Sequence, residues 1–280
     1  MDASPIRIIE SPPLHEPILV AAWPGLGLVG LKTVQFLHEQ FPSTLLAEIE
    51  APEFFRVAGV KIDAGLLLQP ELPSSRFFHV SVPGALHDVL IFIGDDQPAP
   101  GKEFAFANLV VDVAQHFGVR RIYTAAAMVT NLNHTQPSRV WAAGTTRHVL
   151  EDLPRDGYVE LQEGQIGGLN GLLLGVAGMR HIEGCCLLGE IPYYVTNLEN
   201  PKASAVILST LASVLHLKLD LSTIEQKAVF VESQIDQAVR QVSAGMRSGG
   251  TEEDGTEGGG SDDGAGGSET PQGEDRGPIN

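Results

Sequence analysis

The segment from Trp23 to Gly30 carries the residue pattern in this chain that could bind a phosphate. Its glycines Gly25, Gly27 and Gly30 have the spacing G-x-G-x-x-G, and the apolar run 18–22 precedes them. A glycine turn between a strand and a helix lets backbone N–H groups approach a phosphate at the helix N-terminus. The spacing therefore indicates a dinucleotide site or, in the reading we favour, glycines that permit tight strand-to-helix packing.

A dinucleotide site would also need an acidic residue at the end of the second strand, to bind a ribose. Glu48 and Glu50 stand at about the required distance along the sequence. Against this, Pro24 removes one backbone N–H from the turn. A hairpin-like stretch, 54–68, also replaces the second crossover helix that a complete nucleotide-binding half requires.

Three further turns join the first at the predicted strand ends. Asp95, Asp96 and Gln97 follow the apolar strand 89–93, a glycine-rich loop covers 164–171, and a third segment follows the strand that ends near Glu190. Adjacent carboxylates could bind a metal or act as a base, or simply form a turn before the next helix. If the sheet is parallel, all four segments meet at one edge. The residues expected to line this cleft are Gly25, Gly27, Gly30, Asp95, Gln97, Gly168, Asn170 and Glu190.

No catalytic or metal-binding motif accompanies these turns in the sequence. The chain lacks Cys/His spacing typical of a metal site and a G-x-S-x-G nucleophile elbow. His134 is the histidine nearest the expected cleft, and we interpret it as a solvated loop residue rather than an acid or base. We therefore expect no catalytic residue, metal or cofactor.

Composition excludes several classes of protein. The chain has 280 residues, of which 43% are apolar, and a formal net charge of −17, which argues against nucleic-acid binding. No secretory signal and no apolar segment of ~20 residues is evident, so we expect no membrane contact and a cytoplasmic location. The adjacent Cys185 and Cys186 are interpreted as reduced core thiols.

Apolar runs alternate with helical periodicity along the chain, which predicts an α/β three-layer sandwich with a mixed, mainly parallel sheet. The predicted strands are 18–23, 44–50, 77–82, 89–94, 121–127 and 184–190, and the predicted helices are 26–40, 102–117, 169–179, 201–215 and 223–242. We divide the chain into a core domain (1–200), a C-terminal helical region (201–245) and an acidic, glycine-rich tail (246–280). The tail contains too little apolar surface to fold and is expected to be disordered.

The last predicted helix has apolar residues in 3-4-3-4 spacing over about three heptads. This stripe either packs on its own domain or forms an oligomer contact with a partner subunit. The candidate contact residues are Ile224, Ala228, Val231, Ile235, Ala238 and Val242.

Five segments, in order along residues 5–243, resemble the proteasome assembly chaperone 2 family. They read PGLGLVG from Pro24, GDDQP from Gly94, YTAAAM from Tyr123, GLNGLLLG from Gly168 and LLGEIP from Leu187. The resemblance implies an α/β/α sandwich similar to the phosphorylase and peptidase-like folds, with a C-terminal helical region that takes part in oligomer contacts.

The resemblance also implies protein partners, because relatives bind proteasome α subunits. The chain ends in Pro278-Ile279-Asn280, which lacks the tyrosine of the hydrophobic-Tyr-any tripeptide that some archaeal relatives insert between proteasome subunits. We therefore predict a non-catalytic, homo-oligomeric assembly chaperone or scaffold that binds protein, including proteasome-like subunits. The alternative is a nucleotide- or small-molecule-binding enzyme, ligase-like or dinucleotide-dependent, that uses the strand-end glycine loops.

Overall fold

The computed structural model describes the backbone from residue 4 to residue 248, except residue 58, and side chains up to residue 241. The chain divides into a unit that ends at Gln237 and a second that begins at Ala238. Most of the predicted tail, 249–280, lies outside the described residues.

Nine strands of the described chain form one sheet, and two more form a separate hairpin. The sheet strands are β1 (Ile6–Ile8), β2 (Ile18–Ala22), β3 (Ser43–Ile49), β6 (Ser75–Val80), β7 (Val89–Gly94), β8 (Arg121–Thr130), β9 (Val140–Gly144), β10 (Val159–Glu160) and β11 (Glu183–Pro192), and the hairpin strands are β4 (Ile62–Asp63) and β5 (Leu66–Leu67). The order across the sheet is β1-β3-β6-β7-β2-β8-β11-β9-β10. The helices are α1 (Val29–Gln40), α2 (Glu103–His116), α3 (Arg147–Glu151), α4 (Leu169–Met179), α5 (Pro201–Val214) and α6 (Ser222–Ser248).

The four central strands, β7, β2, β8 and β11, are parallel to one another. Alternate residues of these strands enter two separate hydrophobic clusters. Val20 and Ala22 of β2 face α1 and α5, whereas Leu19 and Ala21 face α2 and α4. Because both faces are covered, β2 is buried throughout, and the predicted three-layer α/β/α sandwich is confirmed.

The sheet is mixed, as predicted. β6 runs antiparallel to β7, and β9 runs antiparallel to β11, on the two sides of the parallel centre. The hairpin in the stretch 54–68 forms its own two-stranded sheet. Its two strands have two residues each and pair with one another.

Helix α5 belongs to the same layer as α1, with Ile207, Leu208 and Leu211 in the cluster that covers one face of the sheet. The first unit accordingly continues to Gln237, beyond the boundary predicted at residue 200. The physical reason is burial, because α5 covers apolar strand residues that would otherwise face water.

Candidate functional site

The first glycine turn is a single helical turn, Leu26–Leu28, at the carboxyl end of β2. Gly27 and Leu28 have left-handed backbone angles, with φ of 60° and 50°. The N–H of Gly27 donates to the Thr196 carbonyl at 2.8 Å, and the N–H of Leu28 donates to the Gly25 carbonyl at 2.9 Å. Two of the N–H donors of the turn are thus used within the chain and are not free for a phosphate.

Gly30 begins α1 where the helix crosses β8. A Cβ built on Gly30 would overlap the carbonyl oxygen of Ala125 in that strand. Only glycine permits this approach, so Gly30 serves the packing of α1 on the sheet.

Gln97 connects the second turn to the first and the third. Its Nε2 donates to the Pro24 carbonyl at 2.9 Å, and its Oε1 accepts from the Leu169 N–H at 3.2 Å. Gly168 has a φ of 69°, and a Cβ there would lie 3.5 Å from the Gln97 amide. The Gln97 side chain therefore lies between the glycine loops and uses its own polar atoms to join them.

Asn170 makes the second connection between the loops and is almost fully buried. Its Oδ1 accepts from the Trp23 N–H at 3.2 Å, and its carbonyl accepts from the Thr124 hydroxyl at 2.6 Å. Three of the four predicted segments are thus linked by hydrogen bonds through Gln97 and Asn170.

The two aspartates of the second turn are exposed and act locally. Asp95 Oδ2 accepts from the Ser74 N–H at 3.0 Å and from the Ser74 hydroxyl. Asp96 Oδ1 accepts from the Gln97 N–H at 2.8 Å. No group of three His, Cys, Asp or Glu side chains in the described chain is placed to hold a metal ion.

Glu190 has different partners, on the loop that leads into β9. Its side chain is 2% exposed, and Arg139 donates to both carboxylate oxygens, from Nε at 2.8 Å and from an Nη at 3.0 Å. These hydrogen bonds hold the pKa of Glu190 below its ordinary value despite burial. The Arg139 guanidinium also lies 5.5 Å from the centre of the Trp141 ring.

The acidic residues expected to complete a dinucleotide site are not next to the first turn. β3, which carries Glu48, is separated from β2 by β6 and β7, or about 14 Å at the usual strand spacing. Glu48 and Glu50 instead form ion pairs with Arg7. The sequence spacing was therefore misleading, because the next strand in sequence is not the next strand in the sheet.

The interpretation of His134 as a solvated residue was wrong. It is buried, with Nδ1 at 2.7 Å from the Tyr194 hydroxyl and Nε2 at 3.0 Å from Asp236 Oδ1. These partners lie 60 and 102 residues further along the chain, and no local sequence pattern predicts the contacts. The cluster joins the loop after β8 to α6.

The two cysteines are free and buried, as predicted for core thiols. Burial raises the pKa of each thiol to about 12. Neither is a thiolate at neutral pH, so neither is a ready nucleophile.

The apolar stripe of α6 faces mainly its own domain. Ile224, Ala228 and Ile235 are buried within the protomer, and Val231 is partly buried. These residues are therefore not an open surface for a partner subunit, since the packing of α6 has already removed them from water. Ala238, in the second unit, is exposed, and the side chain of Val242 lies outside the described residues.

Exposed apolar side chains surround the first turn instead. Hydrogen bonds from Gly27 to Thr196 and from Asn200 to Gly27 join this turn to the segment after β11. Large apolar side chains between 36% and 63% exposed project from the two segments, and we call them the edge patch: Leu26, Leu28, Tyr193, Tyr194 and Leu198.

Comparison with known proteins places this architecture in a family. The model of the PAC2 family matches residues 19–239. The chain belongs to the PAC2 family. It is 23% identical over 232 residues to an uncharacterized protein of Methanocaldococcus jannaschii, covering 82% of this chain and 86% of that protein.

Solved PAC2-like structures share the fold. PbaB of Pyrococcus furiosus, an archaeal proteasome activator, is 27% identical with a TM-score of 0.71, covering 85% of this chain and 98% of that one. PbaA of the same organism, an archaeal homolog of proteasome-assembly chaperone, is 22% identical with a TM-score of 0.65, covering 87% of this chain and 95% of that one. Within its described residues, our PAC2 chain has no helix both long and apolar enough to span a membrane.

Proposed function

We propose that this PAC2 chain is a non-catalytic, self-associating assembly chaperone or scaffold that acts in the cytoplasm. Its other partners would be protein subunits, with proteasome-like subunits the first candidates. The proposal concerns binding of protein rather than conversion of a small molecule.

The observation that carries the proposal is the contrast at the carboxyl edge of the sheet. The polar groups of the glycine turns are used by Gln97, Asn170 and neighbouring carbonyls, whereas the apolar side chains of the edge patch face outward. A small-molecule site would show the reverse, with apolar walls and a few convergent polar groups free to bind. Clustered exposed apolar side chains are typical of protein-binding surfaces.

Similarity supports the same class of function. PbaB, described as a proteasome activator, and PbaA, described as a homolog of a proteasome-assembly chaperone, share this fold over most of both chains. Proteasome α subunits are therefore the first proteins to test.

The experiment measures binding of those α subunits to the immobilised full chain. We expect binding that weakens at least about tenfold in Tyr193→Asp/Leu198→Asp, because each new carboxylate would be desolvated in an apolar contact. Leu86→Asp is the matched control, since Leu86 is 58% exposed in the loop before β7, at the opposite end of that strand. Equal binding by all three proteins would contradict the edge patch as the contact surface.

A thermal-shift screen addresses the enzyme alternative. ATP, NAD or a nucleoside that bound the native state would raise the melting temperature, with or without magnesium. We expect a flat screen, and a shift abolished by changing Gln97 or Asn170 would overturn the proposal.

A further inference from the structure

The hairpin of β4 and β5 projects from the chain between β3 and β6. Its turn residues, Ala64 and Gly65, have φ angles of 47° and 83°, the signs that a two-residue hairpin turn requires at both positions. Register pairs Ile62 with Leu67 and Asp63 with Leu66. A two-stranded hairpin of this length is marginally stable by itself in water.

Both faces of this hairpin carry exposed apolar side chains. Ile62 and Leu67 lie side by side on one face and are 70% and 73% exposed, and Leu66, on the other face, is 71% exposed. Large apolar residues around them are also exposed, and together they form what we call the hairpin patch: Val57, Val60, Ile62, Leu66, Leu67, Leu68 and Leu72.

The patch is large enough to form a protein interface. Its exposed surface is on the order of 700 Å², whereas the largest apolar patch on a typical monomer covers ~300–600 Å². A stable protein–protein interface takes about 800 Å² from each partner. Because this area lies on both faces of the hairpin, one partner covers part of it, and the contact also draws on the surface around the patch to reach the usual size.

The charge of the segment favours a second copy of this chain as the partner. The whole chain carries a net charge of −17, so two copies repel one another wherever their acidic surfaces meet. From residue 56 to residue 73 the formal charge is zero, because Arg56 and Lys61 balance Asp63 and Glu71. Lys61 already pairs with Glu71 within this segment, at 2.6 Å, so the segment presents little net charge to a second copy.

We propose that the hairpin patch is a two-fold contact between two copies of this chain, in which each hairpin packs against the other. This inference rests on the self-association in the proposed function, and it names the surface responsible. The same surface serves both copies in a two-fold contact, so the patch has to be self-complementary, and its apolar residues and balanced charges meet that requirement.

The test compares the mass of the full chain with that of the double variant Ile62→Asp/Leu67→Asp by light scattering after size exclusion. Because these side chains are mainly in water in the protomer, the variant should fold, which its circular dichroism and melting temperature will verify. We expect the wild type to exceed the single-chain mass of 29.9 kDa and the variant to match it. The dissociation constant should rise at least about a hundredfold, since the carboxylates would be buried without partners. Leu86→Asp, which adds a carboxylate at an exposed leucine outside the hairpin patch, should keep the wild-type mass.

Three results would overturn the inference, and they differ in what they leave standing. An oligomeric wild type whose mass survives the double substitution removes the hairpin contact but not self-association. A loss of mass in Leu86→Asp as well would show that added charge, not position, breaks the oligomer. A monomeric wild type overturns both self-association and the hairpin contact, while binding to α subunits through the edge patch is measured independently.

Discussion

Two regions at the carboxyl end of the central strands differ in which side chains they bury and which they expose to water. At the glycine turns, buried polar atoms pair within the chain, as when Asn170 accepts from the Trp23 N–H at 3.2 Å. At the hairpin, Ile62, Leu66 and Leu67 remain at least 70% exposed. The first region stabilises the sandwich, and the second exposes apolar surface to which another molecule can bind.

The difference shows that sequence motifs and candidate binding surfaces lie in different regions of this protein. The glycine spacing that suggests a ligand site belongs to a region in which the Gln97 and Asn170 side chains already bond to neighbouring turns. The hairpin carries no chemical motif, but it exposes apolar surface to water. Such exposure is unfavourable until another surface covers it. Substitutions in the two regions should therefore change the free energy of unfolding of the protomer by very different amounts.

The largest effect should come from Gly30→Ala. The new methyl would overlap the Ala125 carbonyl oxygen and push α1 away from β8, at a cost of about 3 kcal/mol or more in the free energy of unfolding. Urea denaturation measures it. Gly175→Ala is the matched control, because no atom lies within 4 Å of its new Cβ and helix propensity should stabilise it by ~0.5–1 kcal/mol.

A smaller loss is expected from Asn170→Ala. It leaves the buried N–H of Trp23 without its acceptor, which should lower the free energy of unfolding by about 1–3 kcal/mol. Asn108→Ala, at a half-buried position in α2 where the side-chain amide donates to the Phe104 carbonyl, should stay within ~0.5 kcal/mol of the wild type in the same urea titration. Equal losses in the two variants would mean that the turns are not held by their buried hydrogen bonds.

Glu190 should add a pH-dependent component to the stability of this edge. Arg139 holds the pKa of Glu190 below that of an unfolded glutamate, about 4.3. The stabilisation is therefore fully present above about pH 4.3 and is lost as the pH falls through the lower folded value. In Glu190→Gln the deficit in unfolding free energy relative to the wild type should shrink over that window, as urea titrations at successive pH values would measure. A deficit that stays constant as the solution becomes acidic would show that the ion pair does not contribute.

The smallest effect on protomer stability is expected at the hairpin. Leu66→Ser changes a side chain that is 71% exposed, so the free energy of unfolding at high dilution should move by no more than ~0.5 kcal/mol. Thermal unfolding at low and high protein concentration separates the effects, and only the concentrated sample should lose stability. A large loss at high dilution would place the hairpin in the protomer's own core.

Much of the fold followed from the sequence because the signals were local. Continuous apolar runs identified β2 and β7, and glycine before an apolar helix identified α4 with its observed ends. β9 was missed although it is as long as β2. β10 was missed because its two residues are too few for a periodic signal. α3 was missed for the same reason, although the Thr146 side chain caps its first turn.

For the site, the sequence identified the turns but not the roles of their residues. It gave Gln97 and Asn170 as cleft residues, and the structure shows them joining three turns to one another. It did not anticipate that His134 would be buried against Tyr194 and Asp236, since these partners come from distant parts of the chain. It gave the α6 stripe two readings, and burial of Ile224 and Ile235 favours packing on its own domain.

The sequence by itself determined the α/β class, the buried central strands and the positions of the glycine turns. Each of these depends on residues adjacent along the chain, where periodicity and turn preference act. Only the tertiary structure decided that β3 lies three strands from β2, that Gln97 and Asn170 join the turns, and that the hairpin is left uncovered. These outcomes depend on which distant groups become neighbours, because hydrogen bonding and burial are settled by packing in three dimensions.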